Sequence, residues 1–253
     1  MPEPSSVSPG SFCWVDLATT DWQSAKRFYC ALFGWEANEI PTGENAPPYV
    51  VLRKRGRDVA ALYEQSVEQR RPGVPPAWLV HVAVTSADDS AARALDLGAT
   101  VPVEPFDVLD AGQFALLHDP QGAAIALWQS KTHHAAPIDE PGSFCWSELH
   151  TPDPEGAQAF YTALFGWKAK ESAEYVEWVN DGRPIGGMMK ESDGAPPGWL
   201  VYFAVEDCDR TARRAEELGG TVQAGPEDIP DVGRFALIAD PQGSAFAAIR
   251  LQG

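Results

Sequence analysis

The stretch RFYCALFGW at Arg27–Trp35 returns as AFYTALFGW at 159–167, and no other feature constrains the fold of this chain more. Aligned from Gly10 and from Gly142, an offset of 132, the two copies share 16 of 26 positions through Trp35 and Trp167. A second block, PPAWLVHVAV from Pro75, returns as PPGWLVYFAV from Pro196 at an offset of 121. GQFALLHDPQG from Gly112 and GRFALIADPQG from Gly233 keep that second offset. The offset falls from 132 to 121, so the second copy is 11 residues shorter between Trp167 and Pro196. Three collinear blocks mean a duplicated unit of about 120 residues. The expected domains are 8–130 and 140–253, joined at 131–139 by a polar, proline-containing linker that includes His133 and His134.

Each copy mixes two periodicities. SFCWVDLAT is apolar and alternates toward its end, which predicts a strand. Asp21 is placed to cap a following helix, because its carboxylate can accept from the free N–H groups of the first turn. Ala25, Phe28, Tyr29, Leu32 and Phe33 recur at helical spacing, and Gly34 supplies a stop. Strands are predicted near 49–53 and 59–64, over AWLVHVAV, near 114–117 and over 123–129, with a helix at 87–97. The pattern reads as βαβββ units. Both copies carry the full set of apolar phrases, so each is expected to own a hydrophobic core.

Composition narrows the function. A net charge of −17 repels nucleic acid and anionic membrane surfaces, so neither is an expected partner. No apolar run approaches the roughly 20 residues needed to cross a bilayer. The opening MPEPSSVSPG has neither a basic start nor an apolar stretch, and the four cysteines form no CxxC pair, so a reduced, cytoplasmic setting is expected. No Ser–His–Asp order, Walker loop or GxGxxG after a strand is present, and the glycines of RPIGGMMKES lack phosphate-loop spacing.

A strand, then D…FY…LFGW, then WLVHVAV, then DPQG, twice over, resembles the vicinal oxygen chelate superfamily, which contains glyoxalase I, extradiol dioxygenases and the fosfomycin- and bleomycin-resistance proteins. The resemblance implies an α+β fold of two tandem glyoxalase-like domains, each with paired βαβββ modules forming a curved mixed sheet around a cleft. It also implies a monomer whose repeats make an internal pseudo-dimer. Many members hold a divalent metal through three positions, on the first strand, on the strand after the mid-chain loop and on the last strand. By the resemblance these positions are Trp14, His81 and Ala126 in the first copy, and Trp146, Tyr202 and Ala247 in the second. Only His81 among them can bind a metal, and a catalytic site wants about three protein ligands. No metal ligand set and no cofactor is therefore expected, and neither glyoxalase I nor extradiol dioxygenase activity. A different divalent site drawing on Asp16, Glu148, His150 or His118 stays open.

What stands in place of ligands suggests other chemistry. Residues two apart on a strand share a face. The first copy thus offers Trp14, Asp16 and Ala18 together, and the second Trp146, Glu148 and His150. A tryptophan is a broad flat contact surface with one donor. A carboxylate beside it accepts a hydrogen bond or pairs with a cation, and a histidine can serve as a general base near neutral pH. Glu148 and His150 are the candidate catalytic pair; Trp14, Asp16, His81, Trp146 and Tyr202 are the candidate ligand-binding set. A bland alternative is that Glu148 and His150 pair with each other and close the pocket. Three function classes follow: a metal-free binding protein for a small aromatic or cationic molecule, a metal-independent hydroxylase-, lyase- or isomerase-like enzyme, and a non-catalytic interaction protein.

Overall fold

A computed structural model describes residues 7–67, 69–70, 75–132, 140–172, 175–191 and 194–252. The expected linker residues His133 and His134 lie outside the described residues. The first repeat runs β1 (Phe12–Thr19), α1 (Trp22–Phe33), β2 (Glu36–Ile40), β3 (Tyr49–Lys54), β4 (Arg57–Glu64), β5 (Ala77–Ala83), α2 (Ala87–Asp96), β6 (Thr100–Val108), β7 (Gly112–His118) and β8 (Ala124–Ser130). The second repeats that order as β9 (Phe144–Thr151), α3 (Pro154–Phe165), β10 (Lys168–Glu171), β11 (Tyr175–Asn180), β12 (Arg183–Lys190), β13 (Gly198–Ala204), α4 (Cys208–Glu217), β14 (Thr221–Ile229), β15 (Gly233–Ala239) and β16 (Ala245–Leu251). Each repeat is thus two βαβββ modules. The strands form two mixed sheets, ordered β2-β3-β4-β1-β5-β8-β7-β6 and β10-β11-β12-β9-β13-β16-β15-β14.

Local sequence explains the elements. Asp21 Oδ1 accepts from Ser24 N at 2.9 Å, and Asp153 Oδ1 from Gly156 N at 3.0 Å, so both long helices start on a side-chain cap. Gly34 and Gly166 end them at φ 68° and 77°, a conformation that suits glycine. The 11-residue deficit of the second repeat divides between two loops. Tyr49 and Tyr175 open equivalent strands at an offset of 126, so the loop before them is shorter by 6, and the loop before β13 by the remaining 5. Strands β2, β6 and their second-repeat equivalents are additions to the strands read from sequence. They are edge strands, β2 being exposed at every position and β6 alternating exposed with half-buried ones, and so neither carries a fully buried apolar run.

The chain divides into two compact units, and each takes two modules, one from each repeat. In the first unit are the start of β1 up to Trp14, the chain from Leu79 through β8, and Trp146–Leu200. Its core surrounds the α3 ring of Tyr161, which stacks on Trp167 (centroids 5.4 Å apart) and meets Trp199 edge-on at 5.5 Å. The second unit holds Val15–Trp78, the lead into β9 up to Cys145, and the chain from Val201. There the α1 residues Tyr29 and Phe33 pack on Phe246 and Phe203, at 5.5 and 5.2 Å. The expectation of one private core per repeat is therefore corrected. The apolar face of α1 covers strands of the second repeat, and such a face is stable wherever it finds a sheet.

The repeated phrase acquires a specific job here. Tyr29 donates to Asp240 Oδ2 at 3.0 Å, and Tyr161 to Asp119 Oδ2 at 2.9 Å. Those aspartates belong to the DPQG turn of the opposite repeat. Their other oxygens accept turn N–H groups, from Gln242 and Ser244 in one case and Gln121 and Ala123 in the other. Trp78 and Trp199 donate to the tyrosine oxygens at 3.1 and 3.2 Å, so each chain of buried polar groups is satisfied.

Candidate functional site

Strand β9 carries the cluster. Its alternation puts Trp146, Glu148 and His150 on one face, and parallel pairing with β12 sets Glu148 beside Gly187 and His150 beside Met189. His150 Nε2 lies 3.0 Å from Glu148 Oε1, and its Nδ1 lies 3.5 Å from Glu191 Oε2 just past β12. Glu148 is nearly buried, its side chain 9% exposed, while His150 at 29% and Glu191 at 21% reach solvent. The hydrogen bond His150 donates to Glu148 raises its pKa above the ordinary 6.5, against the pull of burial, with Glu191 adding to the rise. The ring is held toward the imidazolium, clamped at one nitrogen and loosely met at the other.

Tyr175 completes the group. Its hydroxyl accepts from Trp146 Nε1 at 3.0 Å and donates to the Glu148 carboxylate. Burial, then the Glu148 charge, drives the phenol pKa upward, so it stays protonated. Gly187 makes this possible: a Cβ there would overlap the Tyr175 hydroxyl. The chemistry available is one flat indole, a carboxylate fixed by a phenol and an imidazole, and a second carboxylate at the water's edge.

The other sequence candidates are buried. In the second unit Asp16, 5% exposed, accepts from Tyr49 at 3.3 Å, and its charge helps burial raise the Tyr63 pKa. Ala18, equivalent to His150, pairs with Tyr63 instead. Tyr202 of the same unit is 6% exposed and pairs with Ala247. In the first unit His81, 3% exposed, pairs with Ala126 and faces the rings of Phe114 and Trp128 at 5.6 and 6.4 Å. Trp14 is buried there too. Cys13 and Cys145 are buried, with burial holding the Cys13 thiol protonated. The structure thus brings Trp146, Glu148 and His150 together and adds two residues the sequence reading missed. Tyr175 has a signal, since Tyr49 opens the equivalent strand. Glu191 has none, being one acid in a polar turn.

The donor set does not fit a resident metal at these positions. The two nitrogens of His150 face different carboxylates on opposite edges of the ring, so the three groups do not converge. Among the described residues no group of three His, Cys, Asp or Glu side chains is placed to hold a metal ion. Ala126 and Ala247 offer no donor at all.

Comparison with known proteins fixes the class. The family model described as Glyoxalase/Bleomycin resistance protein/Dioxygenase superfamily matches residues 133–247, and a glyoxalase-like domain model matches residues 14–128. A protein of Mycobacterium tuberculosis (strain CDC 1551 / Oshkosh) described as "Putative glyoxylase CFP32" is 38% identical over 258 residues, covering 99% of this chain and 98% of its own. The chain belongs to the glyoxalase/bleomycin resistance protein/dioxygenase superfamily. It is also 34% identical to the anthracycline biosynthesis protein DauV of Streptomyces sp. (strain C5), over 97% of this chain and 94% of that one. Among solved structures, the Mn(II)-bound glyoxalase of Novosphingobium aromaticivorans superposes with a TM-score of 0.70 at 18% identity, over 96% of this chain and 83% of that one. The 2,3-dioxygenase LapB of Pseudomonas sp. KL28 does so with 0.69 at 13%, over 97% and 93%. Those two likenesses carry the fold alone. No described helix is long and apolar enough to cross a membrane.

Proposed function

We propose that this chain is a metal-independent member of its superfamily, a cytoplasmic monomer that binds a small planar organic molecule, aromatic or cationic, at the β9 site. The observation that carries the reading is Trp146 standing beside Glu148, His150 and Glu191. Two carboxylates around one imidazolium leave the group net negative, which suits a cationic or hydrogen-bond-donating ligand, while an indole face suits a flat ring. The relative named for anthracycline biosynthesis supports a polycyclic aromatic ligand class. The buried residues Trp14, Asp16, His81 and Tyr202 then act as supports, not contacts. A tryptophan-fluorescence titration with proflavine, a planar aromatic cation, tests this. Glu148→Gln is expected to weaken binding by about tenfold, with the melting temperature lowered by about 2–4 °C. Unchanged binding in both Glu148→Gln and His150→Ala overturns the site. Elemental analysis giving about one zinc, nickel, manganese or iron per chain overturns the metal-independent reading.

A second reading rests on the His150 clamp. An imidazolium with one nitrogen fixed on a buried carboxylate and the other only 3.5 Å from a half-exposed one can give a proton to a bound substrate. The catalytic form of the protein would then use His150 as general acid and Glu148 to hold its orientation. Turnover that falls in His150→Gln while proflavine affinity stays constant separates this from binding alone.

A further inference from the structure

The chain has 19 basic residues in all, yet four of them stand within Arg53–Arg57, at the β3–β4 hairpin. Lys54, Arg55 and Arg57 line a cavity of about 420 Å³ within the second unit, with Val59, Ser143 and Glu206 among its walls. Two of the four are already matched: Arg53 Nε meets Asp58 at 2.6 Å, and Arg57 grips Glu140 with both terminal nitrogens. Lys54 and Arg55 make no ion pair among the described residues. The Lys54 ammonium has one long contact, to the Phe33 carbonyl at 3.4 Å.

The second repeat shows that the fold does not need these charges. Its equivalent hairpin reads Asn180-Asp181-Gly182-Arg183. Asn180 covers the turn around Gly10, donating to Pro9 O at 2.9 Å and Ser11 Oγ at 3.0 Å. Lys54 covers the equivalent Gly142, whose added Cβ would overlap the ammonium. Position 55 breaks a local rule as well. Both hairpins turn through two residues at positive φ, 49° and 77° at Asp181 and Gly182, 52° and 75° at Arg55 and Gly56. Asp is a favoured residue in that conformation and Arg is not. A long cationic side chain persists where the same scaffold accepts a short acid, and strain of this kind points to function. Burial, then the nearby Arg55, lowers the Lys54 pKa, and the Glu206 charge opposes the fall only in part.

We propose that the β3–β4 hairpin of the first repeat, through Lys54 and Arg55 with Arg57 as the wall, is a binding site for a small oxyanion, a phosphate or carboxylate group on a compact organic molecule. Lysine supplies a point charge inside and arginine a planar fork at the rim, a pairing suited to such oxygens. Glu140 stays on Arg57, and Glu206 in the cavity wall offsets part of the Lys54 charge, so the site is suited to a single oxyanion group. The site is independent of the β9 cluster.

Titration calorimetry on the full chain tests it, with inorganic phosphate and citrate as probes against sodium chloride at matched ionic strength, since salt alone screens exposed charge. Phosphate or citrate is expected to bind beyond the chloride control, and whichever does so identifies the oxyanion class. The double variant K54N/R55D, which installs the second repeat's residues, is expected to bind about tenfold more weakly or not at all. Arg53→Gln, at the matched arginine, is expected to bind as the parent does. Should the double variant not fold, Arg55→Asp alone on the exposed turn serves, with the same loss expected. Binding of neither probe, or equal binding by the variants, overturns the proposal. Glu148→Gln is expected to leave the oxyanion isotherm unchanged, so failure at either site is read separately.

Discussion

His150 is a residue whose charge depends on its company. Its pKa lies above 6.5 because Glu148 and Glu191 favour the charged ring more than burial disfavours it. A histidine raised in the folded state contributes stability that is complete below the unfolded value of 6.5 and is lost as pH rises through the higher folded value. His150→Gln is therefore expected to lower the unfolding free energy by about 1 kcal/mol near pH 5.5, the pair being partly exposed, and by less near pH 8.5. Urea denaturation at the two pH values checks the sign. Following the His150 ring protons by NMR gives the companion result: a midpoint above 6.5 in the parent, and a lower one in Glu148→Gln. An unmoved midpoint would mean that Glu148 does not hold the ring.

At the scale of the element, the β11–β12 hairpin aims Tyr175 by leaving out one carbon. Gly187 sits directly beside Glu148 in the parallel register, and the Tyr175 hydroxyl occupies the space a side chain would take. Gly187→Ala is expected to push the phenol aside, break its bonds to Trp146 and Glu148, and cost about 1–3 kcal/mol as overpacking. Altered Trp146 emission, reproduced by Tyr175→Phe without that full loss of stability, is the measurement. Elements like β9 were legible because alternation on a half-buried strand survives in sequence: Trp146, Glu148 and His150 were read onto one face, and they share it. The Asp21 cap and the Gly34 stop were legible for the same reason, since each is a local bond or a local dihedral. Edge strands β2 and β6 were not, having no buried face to force an apolar pattern. Glu191 was illegible because only the pairing of β9 with β12 brings it to His150. Burial of Trp14, Asp16 and His81 was equally hidden, since the alternation that puts residues on one face does not tell a filled face from an open one.

For the whole chain, duplication has become reciprocity. Each compact unit takes its buried tyrosine from one repeat and the aspartate it bonds from the DPQG turn of the other, so neither repeat supplies both halves of either bond. This is why the phrase is written twice: FY…LFGW serves a turn that lies 211 residues away for Tyr29 and 42 for Tyr161. Removing one hydroxyl strands two partners, an aspartate oxygen and a tryptophan N–H, both buried. For Asp240 the loss is aggravated because burial already raises its pKa, and the Tyr29 bond is one of the contacts opposing that rise. Tyr29→Phe and Tyr161→Phe are each expected to cost about 1–3 kcal/mol. The two sites share no partner, so the double variant should lose the sum to within about 0.5 kcal/mol. Guanidinium denaturation of the two single variants and the double variant decides it. A double variant no less stable than the weaker single one would show that the tyrosines are not separate supports, and a change below measurement error in either single variant would remove that bond from the account of the fold.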